Sequence, residues 1–162
     1  MASPRRILFL CTANCVRSQM AEGLLRHLAG DRFVSLSAGA RPTGYVHELA
    51  IEVMGELGID ITRHRSKSIR EFLPPDGVPP DMVISVCGAA DRECPIFPGQ
   101  VERRQWPFFD PVGVPGDTEL RLRAFRLIRD EIRERLEAAL AAGELDGDAR
   151  RQETRTWIHE RS

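Results

Sequence analysis

The chain has 162 residues, 42% of them apolar and 29% charged, with a formal net charge of −1 at pH 7. That length suits one domain with a real core rather than two, and a charge near zero excludes a bulk electrostatic case for nucleic acid or a membrane surface as partner. No apolar run could span a bilayer and the N-terminus lacks a signal peptide's apolar stretch, so the expected compartment is the cytoplasm, where structural disulfides are rare.

In chain order, residues 5–10 read as the first strand, its apolar run Ile7 to Leu10 marking it as buried. Residues 18–29 read as a helix with Met20, Leu24, Leu25 and Leu28 on one face, ended by Gly30 and Asp31. Residues 32–38 alternate and predict a second strand, stopped by Gly39. A turn over 41–44 leads to a second helix over 46–57, closed by Gly58. Residues 59–67 are extended or irregular, and 68–72 suit a short helical turn. The Pro-rich stretch 73–80 is a loop by composition. Residues 81–86 predict a third strand buried on both faces, 88–100 a loop, 101–106 a weaker strand and 107–116 a loop. Leu122, Phe125, Ile128, Ile132, Leu136 and Leu140 recur at helical spacing and predict a long helix over 118–141. Residues 1–142 would then form the domain, and 143–162 a polar tail or terminal helix. Strands alternating with helices imply a single α/β domain: a four-stranded parallel sheet with helices on both faces.

The stretch between the first strand and the first helix carries the chemistry. Its residues are Cys11, Thr12, Ala13, Asn14, Cys15, Val16, Arg17 and Ser18. A helix start offers unpaired N–H groups and the positive end of the helix dipole to an anion. Converging N–H groups of residues 12–17 would deepen that cradle. Arg17 adds a planar fork of donors matched to a tetrahedral oxyanion. Cys11 sits in the same positive field, which favours the thiolate, and Ser18 is placed to donate its hydroxyl to that sulfur. In parallel sheets ligands sit beyond the carboxyl ends of strands at a switch in strand order. The third strand ends at Cys87, on the same rim.

Cys87 and Cys94 raise a second question. On an intact helix residues seven apart share a face but sit roughly 10 Å apart along the axis, whereas a disulfide needs Cα atoms about 5.5 Å apart. If they pair, the segment has to bend or unwind, as a redox switch would. Two other readings stay open at this point: a zinc site made of all four cysteines, with six residues between the second pair, and two inert buried thiols. His27, His47, His64 and His159 lack ligand spacing and read as surface or packing residues. Asp110, before Pro111 in a Gly/Pro-rich loop, is on its own a common turn residue.

The run CTANCVRSQMAEG over residues 11–23 resembles the loop and helix start of the low-molecular-weight tyrosine phosphatase superfamily. SQMAEG after the arginine resembles its thioredoxin-coupled arsenate reductase branch. Ser37-Ala38-Gly39, the segment from Cys87 to Cys94-Pro95, and Trp106 followed by Asp110-Pro111 fit that branch too, so the likeness covers residues 5–140. What it implies is a relay. Cys11 attacks arsenate held by the loop and Arg17; phosphate or sulfate would be mimics. Asp110 is the general acid. Cys87 attacks the Cys11 sulfur and arsenite leaves; Cys94 then attacks Cys87, and thioredoxin reduces the Cys87–Cys94 disulfide. No bound cofactor or metal is implied, and the protein is expected to act as a monomer. A phosphatase using only Cys11, Arg17 and Asp110 is the rival reading; a non-catalytic redox or metal sensor is a third.

The chain departs from that pattern in places. Cys15 stands where the reductases often have Ser, and Val16 where a Cys is common; Cys15 is expected to be a neutral filler of the loop, the alternative being a stray thiol that traps Cys11. In some relatives a potassium ion lies near the positions of Asn14, Glu22 and Ser37 and is also held by a carboxylate. Lys67 falls at that carboxylate's position here, so an ammonium is expected in the cation's place and no potassium requirement is expected.

Overall fold

The structure, a computed structural model, describes residues 3–147, with all side chains in that range except that of Asp91. Four parallel strands, β1 (Arg5–Cys11), β2 (Phe33–Gly39), β3 (Met82–Ser85) and β4 (Glu102–Gln105), form one sheet in the order β2-β1-β3-β4. β1 is central and runs Ile7, Leu8, Phe9 and Leu10 through the core with no exposed surface, as a strand flanked on both sides and covered on both faces requires. Cys11 pairs with Gly39 at the carboxyl end, and Leu10 with Ser85. The chain steps one way from β1 to β2 and the other way from β2 to β3, so the switch in strand order lies where β1 gives out into the loop at Cys11.

Among the described residues, four α-helices connect and cover the sheet: α1 (Arg17–Ala29), α2 (Glu48–Gly55), α3 (Gly88–Glu93) and α4 (Thr118–Ala142). α1 packs on β1, β2 and α4, while α3 packs on β1 and β3. The β1–β2 and β3–β4 crossovers step in opposite directions, and right-handed crossovers then put α1 and α3 on opposite faces. α4 buries Leu122, Phe125, Ile128, Ile132 and Leu136, the stripe its spacing predicts. It is started by Asp117, which accepts from Leu120 N, and closed by Gly143 in the left-handed region at φ 70°. Arg129 of α4 reaches across to Val53 O at 2.7 Å and Glu56 Oε1 at 2.8 Å, fastening the end of α2.

Two expectations need correcting. The stretch 88–100 is not loop throughout, because Gly88–Glu93 is helical and buries Ala90 against the sheet. Helical propensity of the alanines outweighs the loop signals, which come later, at Pro95 and Pro98. The second helix is shorter than 46–57: His47 caps it, accepting from Leu49 N at 3.1 Å. The polar stretch from 143 begins with a 3-10 turn, Glu144–Asp146, whose Leu145 is buried; Arg5 Nε donates to Leu145 O at 2.9 Å. Trp157, Ile158 and His159 lie outside the described residues.

Candidate active site

Cys11 closes β1 and α1 begins at Arg17, so residues 12–16 must turn sharply between them. Asn14 adopts φ 51°, a left-handed conformation that asparagine tolerates better than most residues. Every carbonyl of the turn is held from outside. Cys11 O accepts from Ala40 N, Thr12 O from Arg41 N, Ala13 O from Thr43 N, Cys15 O from His47 N and Val16 O from Met20 N. Asn14 O accepts from Gln19 Nε2 at 3.1 Å. A trans peptide points its C=O and the next N–H to opposite sides. With the carbonyls of 11–16 turned out, the N–H groups of 12–17 turn in, and one of them, Asn14 N, donates to Cys11 Sγ at 3.1 Å. The result is a ring of inward donors at the start of a 13-residue helix, with a sulfur at its floor. Such a ring binds tetrahedral anions.

Cys11 is 3% exposed, and its Sγ lies 2.9 Å from Ser18 Oγ. Asn14 Nδ2 donates to Ser18 Oγ at 2.8 Å and to Ser37 Oγ at 3.0 Å. Gly39 allows this close approach: a Cβ there would stand 2.8 Å from Thr12 O and 2.9 Å from Asn14 Cβ. Arg17 lies beside the mouth, NH1 donating to Phe108 O at 3.0 Å and NH2 3.5 Å from Asp110 Oδ2. Asp110 also accepts from Val112 N at 3.0 Å, capping the 3-10 turn Pro111–Gly113. It therefore keeps the turn role its sequence suggests while facing Arg17. Burial, reinforced by the neighbouring Cys11, pushes the Cys15 thiol up and keeps it protonated.

All four cysteines are thiols. Cys87, buried at the end of β3, has its Sγ 3.4 Å from Thr12 Oγ1, so it stands at the rim of the Cys11 loop. Cys94 follows the far end of α3, half-buried, its thiol 3.6 Å from Pro95 O. The helix thus separates the pair it would have to bring together. No group of three or more potential metal ligands exists among the described residues, and no helix there is long and apolar enough to cross a membrane.

Behind the loop, Lys67 Nζ lies 3.2 Å from Arg65 O, 3.3 Å from Ser37 Oγ and 3.5 Å from Glu22 Oε1. Burial pushes the Lys67 ammonium down, against the Glu22 carboxylate that holds its proton. Sequence reasoning missed Gln19 and the role of segment 40–47. Gln19 is fully buried but shares a face of α1 with Glu22 and Arg26, three and seven residues on, so in sequence it looks like part of a solvated polar face and carries no signal of its burial. The segment acts through backbone N–H groups, which leave no mark in side-chain identity.

A family model described as low molecular weight phosphotyrosine protein phosphatase matches residues 6–150. An arsenate reductase of Shouchella clausii is 39% identical over 142 residues, covering 88% of this chain and 99% of that protein. A solved structure described as an arsenate reductase in the phosphate binding state superposes with a TM-score of 0.65 at 33% identity, over 85% of this chain and 98% of that one. A thioredoxin-dependent arsenate reductase of Corynebacterium glutamicum superposes at 0.61 and 30% identity, over 88% of this chain and 65% of that one.

Proposed function

We propose the following chemistry for this chain, which belongs to the low molecular weight phosphotyrosine protein phosphatase family: it reduces arsenate to arsenite through three of its own cysteines. The observation that carries this reading is the inward-facing donor ring around Cys11 with a second thiol, Cys87, on its rim. Arsenate enters the ring and draws Arg17 from Asp110 onto its own oxygens. Cys11 thiolate attacks arsenic; one oxygen leaves as water, with Asp110 supplying the proton. Cys87 thiolate then attacks the Cys11 sulfur. The sulfur–arsenic electron pair passes to arsenic, which falls from As(V) to As(III) and departs as arsenite, leaving a Cys11–Cys87 disulfide. Cys94 attacks Cys87, freeing Cys11 and forming Cys87–Cys94.

That last step sets a structural demand. Across an intact α3 the two residues are roughly 10 Å apart along the axis, so the helix unwinds as the disulfide forms. Thioredoxin is the reductant of this surface disulfide, a reading supported by the thioredoxin-dependent relative. Cys15, held protonated by burial, takes no part. Lys67 occupies the place of a bound cation beside Glu22 and Ser37, so arsenate affinity is expected not to change between potassium and a bulky organic cation. A clear potassium dependence would remove Lys67 from that role.

The test is Cys87→Ser assayed two ways. Arsenate turnover with thioredoxin should vanish, while slow hydrolysis of an aryl phosphate, which needs only Cys11, Arg17 and Asp110, should survive. Arsenate reduction persisting in this variant would exclude the relay. Aryl phosphate hydrolysis far faster than arsenate reduction in the unaltered protein would favour a phosphatase.

A further inference from the structure

A directed chain of hydrogen bonds runs from His64 to Cys11, and its direction is set by groups that can only donate or only accept. The Lys67 backbone N–H donates to Asn14 Oδ1 at 2.9 Å. That fixes the other end of the Asn14 amide as the donor to Ser18 Oγ, 2.8 Å away. Having accepted there, the Ser18 hydroxyl has its own proton left for the Cys11 sulfur at 2.9 Å. On the other side of Asn14, one atom of the Gln19 amide faces three oxygens: Asn14 O at 3.1 Å, Asn14 Oδ1 at 2.9 Å and Arg65 O at 3.1 Å. It is therefore the nitrogen. Gln19 Oε1 then faces His64 Nδ1 at 3.0 Å and requires a proton on that nitrogen. The far side of the ring agrees, because Arg26 NH1, a donor only, lies 2.9 Å from His64 Nε2 and requires a lone pair there.

Glu22 Oε2, 3.2 Å from the same Nε2, would make an ion pair with a protonated ring. Burial opposes that and pushes His64 towards its neutral form. Glu22 has other partners, Arg26 NH2 at 3.1 Å and the Ser37 hydroxyl at 2.9 Å.

We propose that His64 and Gln19 are positioning residues for Cys11: the neutral ring, protonated on Nδ1, orients the Gln19 amide, which orients Asn14, which leaves the Ser18 proton aimed at the sulfur. The inference rests on the reading of Cys11 as the nucleophile. His64 touches neither the sulfur nor the anion; it acts through three other side chains.

Two measurements test it. The first uses the unaltered protein: the imidazole nitrogen shifts of His64 at about neutral pH should report the Nδ1–H tautomer, the form stable above the ordinary histidine range. An Nε2–H tautomer or an imidazolium overturns the proposal. The second follows iodoacetamide modification of Cys11 by peptide mass mapping across pH. His64→Leu should slow it about fivefold near pH 6, the size of one lost hydrogen bond in the chain, and move the profile to higher pH. His64→Gln, which can offer an amide N–H to Gln19, should restore most of the rate. No slowing in the leucine variant, or equal slowing in both, overturns the proposal. If His64→Leu does not fold, the tautomer still decides. If Cys11 of the unaltered protein reacts no faster than Cys94, the nucleophile reading fails while the tautomer result stands by itself.

Discussion

Asn14 is the residue through which the polar interior reaches the Cys11 sulfur. Its left-handed backbone sets the turn, its carbonyl is held by Gln19, and its amide meets Ser18, Ser37 and the Lys67 backbone. Gly39 is the space that lets it sit there. Gly39→Ala would drive a methyl into Thr12 O and the Asn14 side chain, and the atoms it meets first include backbone that cannot swing aside. The expected cost is about 1–3 kcal/mol of stability, as for other overpacked sites, together with a loss of phosphate affinity measurable by calorimetry. A variant that keeps both would show the loop to be softer than its bonding implies. The contact of Ser18 with the Cys11 sulfur was legible in sequence because a side chain makes it. The same loop's outer bonds, from Ala40, Arg41, Thr43 and His47, were not, since any residue but proline supplies an N–H.

The helix α3 is the element whose stability bears most directly on the proposed relay. In sequence it reads as loop because Pro95 and Pro98 follow it. Six residues, two of them alanine, give too short a window for periodicity to register. The long α4, by contrast, shows its apolar stripe over many turns and was plain in the sequence. α3 has to come apart if Cys87 and Cys94 are to join, so making it a better helix should slow that step. Gly88→Ala does this cleanly, because a Cβ there meets nothing within 4 Å. The gain in helix stability at a terminal position should retard Cys87–Cys94 disulfide formation about two- to fivefold, followed by quenching a single arsenate turnover at intervals and mapping the bonds. An unchanged rate would mean that unwinding does not limit the step. The Arg41–Glu93 ion pair at 3.1 Å holds the last residue of α3 to the segment that backs the Cys11 loop, though an exposed pair of this kind adds little.

At the scale of the whole molecule, the four-stranded parallel sheet with its covering helices followed from strands alternating with helices, a pattern any α/β chain of this length displays, whereas the order of the strands did not. What the pattern did not carry was the polar packing beneath the loop, where half-buried His64 and Lys67 meet the buried Glu22 among Arg26, Ser37 and Gln19. This burial makes stability depend on pH. Burial holds both His64 and His47 below the ordinary histidine value of 6.5. In the interval beneath 6.5 the unfolded chain binds protons that the folded chain refuses. Stability is therefore fully present above that value and declines as pH falls below it. The melting temperature should drop between about pH 7.5 and pH 5.5, and His64→Gln should lose part of that dependence. A flat profile would mean that both rings can charge in place at no cost.

Trp106 offers a use that its place in the fold makes possible. The indole is 6% exposed, tilted against Phe9 at 6.5 Å and roofed by the Arg135 guanidinium at 4.2 Å. It stands directly after β4, two residues before the Phe108 carbonyl that holds Arg17. In the proposed mechanism occupation of the anion ring pulls on Arg17, and that tug would pass along this short lever to a chromophore sensitive to its polar roof. The chain has one other tryptophan, Trp157. Trp157→Phe would turn the molecule into its own optical gauge, reporting the arrival of arsenate without a label or a coupled assay.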